Sequence, residues 1–235
     1  MMRRRPAAGN ASHLAAAPPG RQAAMTTGHD AWTMREKLEI SAVLGAMALH
    51  FLLTSVVGIR GLDIVPITVA VALYVAHRGR HEHVRAEWGT RRTGFAACLL
   101  ATVPLLAVGA AVCAAIGWQR GHLAADLHLL ITVALYPVWG VAQQFLVLAL
   151  FAHNLDRLGL PRAAVFAIAA LGFAAVHVPN WPQVGATLVL GAWCTALFFR
   201  HRNLWPLGIA HGVLGALLYR WVLGVDVCEA LFTTR

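Results

Sequence analysis

Seven runs of apolar residues follow one another along this chain, at about 39–59, 62–77, 94–117, 127–151, 163–179, 184–199 and 204–224, with short polar joints between them. A helix crosses the hydrocarbon core of a bilayer with about 20 apolar residues, in a range of about 17–25. Five of the runs meet that length, and the second and sixth are at or below its lower limit. Apolar residues make up 59% of the 235-residue chain and charged ones 12%. That is more apolar surface than one water-soluble core can hide. The pattern predicts an all-α, polytopic transmembrane bundle of about seven spanning helices.

The distribution of cations orients the bundle. With the N-terminus inside and every run spanning, the inside parts are 1–38, 78–93, 152–162 and 200–203. They hold 15 of the 19 Lys and Arg residues, leaving Arg60, Arg120, Arg220 and Arg235 outside. This is the asymmetry of the positive-inside rule. The same distribution argues against nucleic acid as a partner despite the net charge of +9, because the arginines mark joints rather than one face. The expected partner is the lipid bilayer. Residues 1–37, rich in Ala, Arg, Pro and Gly, read as a disordered basic tail, and Met25 or Met34 could be the true start. Residues 38–228 form the membrane domain. The Ala, Arg and Gly bias suggests a bacterial inner membrane as the location.

Inside a bilayer the informative residues are the polar ones, since each costs free energy unless it faces the bundle interior. Here they are few: His50 in the first run, Gln143 and Gln144 in the fourth, His177 at the end of the fifth and His211 in the seventh. Tyr136, Trp139 and Gln143 recur at spacings of three and four and share a helix face, with Pro137 and Gly140 in the same turn. This face reads as the wall of a polar pocket. Two adjacent glutamines point about 100° apart, so one can face the pocket while the other bonds a neighbouring helix. His211 stands in a small-residue strip between Gly208 and Gly215. His177 precedes the turn Val178-Pro179-Asn180-Trp181-Pro182.

Several chemistries are excluded by what is missing. There is no His-Glu-x-x-His, and none of Ser12, Ser41 and Ser55 lies in a Gly-x-Ser-x-Gly elbow. Cys98, Cys113, Cys194 and Cys228 lack metal-type spacing and read as small buried residues. Nothing in the spacing of His50, His177 and His211 requires a metal, and no cofactor is expected.

The order of a polar pair, then Phe173-Ala-Ala-Val-His177, then Asn203-Leu-Trp-Pro-Leu-Gly-Ile-Ala-His211 resembles the CPBP family of intramembrane proteases, which includes the type II CAAX prenyl proteases. The resemblance covers about 127–222. It implies an endopeptidase acting on a membrane-embedded or prenylated peptide, with site positions Gln143, Gln144, His177 and His211 and pocket residues Tyr136, Trp139, Phe173, Asn180 and Gly215. In the family, the resemblance implies, a glutamate and a histidine activate water, while a second histidine and an asparagine stabilise the oxyanion.

Three departures bear on activity. Glutamines 143 and 144 stand where the family has two glutamates, Leu148 where it has an arginine, and Gly215 where it has a polar partner for the last histidine. A carboxylate in a low-dielectric pocket can be tuned to accept a proton near neutral pH, whereas a carboxamide cannot. Removal of both acids would strand a buried arginine, and Leu148 removes that problem as well. The expectation is a family homologue with a variant, neutralised site, either inactive or working without its glutamate base. The alternative is a non-catalytic membrane protein that binds a peptide or lipid segment, or an accessory subunit of a membrane complex. Helix depths at 1.5 Å per residue place Gln143 and His211 at one level and His177 a turn or more farther out.

Overall fold

A computed structural model describes residues 19–58 and 62–232. By internal contacts the chain divides into Met1–Arg35 and Glu36–Arg235. The expectation for residues 1–18 of the tail lies outside the described residues. The backbone is helical from Pro19. The second unit holds every apolar run.

The described residues form helices and connecting turns, with no strand among them. They are α1 (Pro19–Phe51, continued by a π-helical segment Leu52–Val57), α2 (Ile64–Arg78), α3 (Glu82–Glu87) and α4 (Phe95–Arg120). Next come α5 (Leu127–Gln144, continued by a π-helical segment Phe145–Ala152), α6 (His153–Arg157) and α7 (Arg162–Ala175). The chain ends with α8 (Trp181–His201), α9 (Trp205–Leu217, continued by Leu218–Val222 in π form) and α10 (Val227–Phe232).

Each apolar run of the sequence is therefore built as helix. Among the described residues four helical stretches are long and apolar enough to cross a membrane: Met34–Val57, Phe95–Arg120, Leu127–Arg157 and Trp181–His201. Ile64–Arg78 and Arg162–Ala175 are shorter apolar helices. The second run is short, as its length implies, but the sixth is not. Its helix takes in Trp181, Pro182 and Gln183 ahead of the run and extends through His201. The fifth run gives up its last residues to the turn that reaches Asn180, so its helix is the shorter of the two. The fold is a helical membrane bundle.

The bundle is built around Leu127–Arg157, half of whose most apolar stretch is buried, against 6% for Met34–Val57 and 11% for Phe95–Arg120. The latter two turn their apolar faces outward, the expected arrangement where lipid is the solvent. At the centre α5 crosses α9 with backbone against backbone. A Cβ on Gly140 would lie 2.5 Å from the Gly208 carbonyl oxygen, and one on Gly208 would lie 2.6 Å from the Val141 Cα. Only glycine permits this approach, which is how small residues bring membrane helices together.

The arginine-rich end is fastened by polar contacts. Glu36 and Glu39 are both buried. Arg157 bonds Glu36 at 2.6 Å and Glu87 at 3.0 Å, and Glu39 accepts from Tyr74 and from Asn154. Asn203, part of the family-like lead-in to His211, is fully buried and donates to the carbonyls of Arg91 at 2.8 Å and Thr93 at 3.0 Å. It pins the α8–α9 joint to the loop before α4. At the opposite end Arg220 bonds Asp126 and Asp226, and His128 bonds Asp226 at 2.7 Å.

Candidate active-site cleft

The α5–α9 crossing decides where the two glutamines go. Gln144, on the side facing α9, is fully buried, and its Nε2 lies 3.3 Å from His211 Nδ1. The Gly140 backbone is a further polar neighbour of that imidazole. The Oε1 atom of Gln144 is buried with no hydrogen-bond partner among the described residues. Gln143, one residue earlier and about 100° around the helix, instead lines a cleft bounded by α1, α2, α5 and α7.

That cleft contains about 450 Å³ of free space, counting its open mouth. Its wall is apolar at Val43, Met47, Leu146 and Val147 and aromatic at Trp139 and Phe173, and its polar residues are His50, Asp63 and Gln143. The wall is thus largely apolar, with three polar residues among those that line it. The expected pocket face of α5 is thus divided. Trp139 and Gln143 line the cleft, whereas Tyr136 packs on Gly215, where a Cβ would come within 2.8 Å of its ring, and stands edge-on to Tyr219. Gly215 is a seat for an aromatic ring. Asn180 does not line the cleft either. Its Oδ1 accepts from the Gln183 backbone N–H and caps α8.

Phe173 connects the two histidines without bringing them into hydrogen-bonding contact. Its ring stands edge-on to His177, with centroids 5.6 Å apart, and edge-on to His211, with centroids 5.2 Å apart. His177 Nδ1 bonds the Phe173 carbonyl at 3.0 Å. One aromatic ring thus stands between the two imidazoles. Leu148 is fully buried and packed in the apolar core.

The cleft also joins two residues that nothing in the sequence pairs. His50 Nδ1 lies 2.6 Å from Asp63 Oδ2, across 13 residues of chain. A signal is present all the same: a lone histidine inside an apolar helix needs a polar partner, and Asp63 is the first acid to follow it. Among the described residues no group of three His, Cys, Asp or Glu side chains is arranged to hold a metal ion.

Residues 124–217 match the family described as type II CAAX prenyl endopeptidase, Rce1-like. No curated protein and no solved structure matches the chain. The matched segment begins just before α5 and ends with α9, so it contains the glycine crossing, Gln143, Gln144, Phe173, His177 and His211. Residues 124–217, within a chain of apolar membrane-length helices, are thus similar to the Rce1-like family of type II CAAX prenyl endopeptidases.

Proposed function

We propose that the cleft receives a segment of a membrane-embedded peptide and that Gln143 hydrogen-bonds its backbone. The observation that carries this reading is the division of labour between the glutamines: Gln143 in the cleft wall beside Trp139 and Phe173, Gln144 turned to His211. A carboxamide offers both an acceptor and donors, the complement of a peptide group. The apolar wall suits a hydrophobic side chain or a prenyl group. On this reading Gln144 and His211 form an interhelical bond that holds α5 to α9, and neither glutamine activates water. The surplus of arginines at one end supports a multi-pass protein with that end, and the N-terminus, in the cytoplasm.

The test is binding to the full chain in phosphatidylcholine nanodiscs, with a photo-crosslinking peptide carrying one apolar span of about 20 residues and a farnesylated CAAX peptide as probes. Gln143→Ala should weaken binding by about 2–10-fold, the worth of one hydrogen bond, with unfolding unchanged. Gln144→Ala should lower stability and leave affinity intact. Equal loss of stability in both variants, with binding unaffected in either, would sink the proposal.

A further inference from the structure

We infer that the cleft carries its own hydrolytic base, His50 held by Asp63, and that this pair cleaves a peptide bond presented there. The inference rests on the peptide-binding reading above and supplies the chemistry that Gln143 cannot.

Asp63 occupies the N-cap position of α2, where an aspartate ordinarily accepts from the first backbone N–H groups of its own helix. Here the side chain makes no capping bond. It is turned instead to His50, at 2.6 Å, with its side chain wholly shielded from solvent while His50 keeps 22% exposure. Both residues line the cleft that contains Gln143. A buried carboxylate bonded to Nδ1 fixes the proton on that nitrogen and leaves the Nε2 lone pair bare. The Nδ1 bond to Asp63 is the ring's hydrogen bond among the described residues, and in the proposed reaction Nε2 is the atom that meets the substrate. The second oxygen of Asp63, Oδ1, is buried and has no partner among the described residues, which leaves an acceptor beside the cleft.

Two further contacts fix the base against the rest of the site. Thr54 Oγ1 donates to the His50 carbonyl at 2.6 Å, closing the helical turn that carries the imidazole. Ser55 Oγ donates to the Val178 carbonyl at 2.8 Å, tying the end of α1 to the α7–α8 turn next to His177. The base is therefore anchored to α2 through Asp63 and to the matched domain through Ser55.

The step balances with water as the only co-reactant. His50 Nε2 takes one proton from water as the water oxygen forms a bond to the peptide carbonyl carbon, and the carbonyl π pair moves onto its oxygen. The tetrahedral oxyanion then expels the amide nitrogen, which takes the proton back from the His50 imidazolium. The products are a carboxylic acid and an amine, and transfer of the acid's proton to the amine gives the carboxylate and ammonium ions. Asp63 positions the ring, and the Gln143 amide holds the substrate backbone.

The experiment uses the same nanodiscs and the same two peptides, made fluorogenic. Wild type should cleave at least one of them. His50→Gln should lower kcat by about 100-fold or more, the usual worth of a positioned base, with crosslinked binding retained. Asp63→Asn should lower kcat and leave KM in place, and His50→Ala should regain rate on addition of imidazole. Where a variant fails to fold, carbethoxylation of His50 in folded wild type, located by mass spectrometry, should abolish cleavage, and bound peptide should slow that modification. Binding without cleavage by wild type, or full cleavage by His50→Gln, would overturn the inference and leave the peptide-binding reading standing. Absence of binding to both peptides would overturn that reading first and the inference with it.

Discussion

Gly212 of α9 lies so close to Pro137 of α5 that a Cβ on the glycine would overlap the proline Cα. The obstacle is backbone, which cannot rotate out of the way as a side chain can. Gly212→Ala should therefore force the helices apart and destabilise the protein by about 1–3 kcal/mol, the range for overpacking. Gly45 of α1 has nothing within 4 Å of its virtual Cβ, so Gly45→Ala should be neutral or stabilising by up to about 1 kcal/mol. Thermal unfolding of the two variants in the same detergent would make the comparison.

The bond between Gln144 and His211 should show as an energetic coupling. In a double-mutant cycle with Gln144→Ala and His211→Ala, the interaction energy is expected near 0.6–1.7 kcal/mol, roughly the range found for interhelical hydrogen bonds in membranes. Gln143→Ala combined with His211→Ala should be additive, because Gln143 faces the cleft and not α9. Unfolding in mixed micelles would provide all the terms.

Arg157 is the hub of the arginine-rich end, bonded to Glu36 and Glu87. Glu36 is only 4% exposed, so Arg157→Met leaves a buried carboxylate without its cation. The expected loss is about 3–5 kcal/mol. Adding Glu36→Gln should recover a measurable part of it, since the stranded charge goes too. Recovery of nothing would mean that the arginine acts by packing its stem.

Acid should loosen the other end. The carboxyl of Asp126, at the N-cap of α5, is held below its ordinary value of 3.8 by the Leu129 backbone N–H first and by Arg220 as well. A folded-state value below the unfolded one contributes stability that is present above about pH 4 and is lost as pH falls through the depressed value. Wild type should lose stability on acidification below about pH 4, and Asp126→Asn should flatten that slope. A melting series across pH would read it directly.

Much of the fold is legible because membrane helices advertise themselves by run length, and each of the seven apolar runs is helical. Run length is a poorer guide to where a helix ends. The sixth helix outgrows its run because Asn180 caps it and Pro182 fits its first turn, neither of which counts as apolar run. The partition of Gln143 and Gln144 is legible too, because adjacent helical residues must diverge. Other features are hidden by distance in sequence. Asp63 sits 13 residues from His50, beyond any helical spacing, and only the fold of α1 against α2 joins them. Gly212 stands between Gly208 and Gly215 with nothing in the sequence to set it apart, because a glycine that meets backbone and one that seats a tyrosine ring look alike. Tyr136 shares a helix face with Gln143, yet that face is wide enough to touch both the cleft and Tyr219.

Leu148 has an implication for how this site can change over generations. It is wholly enclosed in the apolar core, and Gln144 is as completely buried one turn before it. An acidic replacement at 144 arriving alone would sit without a cation, and an arginine at 148 arriving alone would sit without an anion. Either single step carries the penalty of an unpaired buried charge, while the double step avoids most of it. The uncharged arrangement thus constrains its own change: drift at these two positions is held among neutral side chains, and any gain of charge must come as a pair.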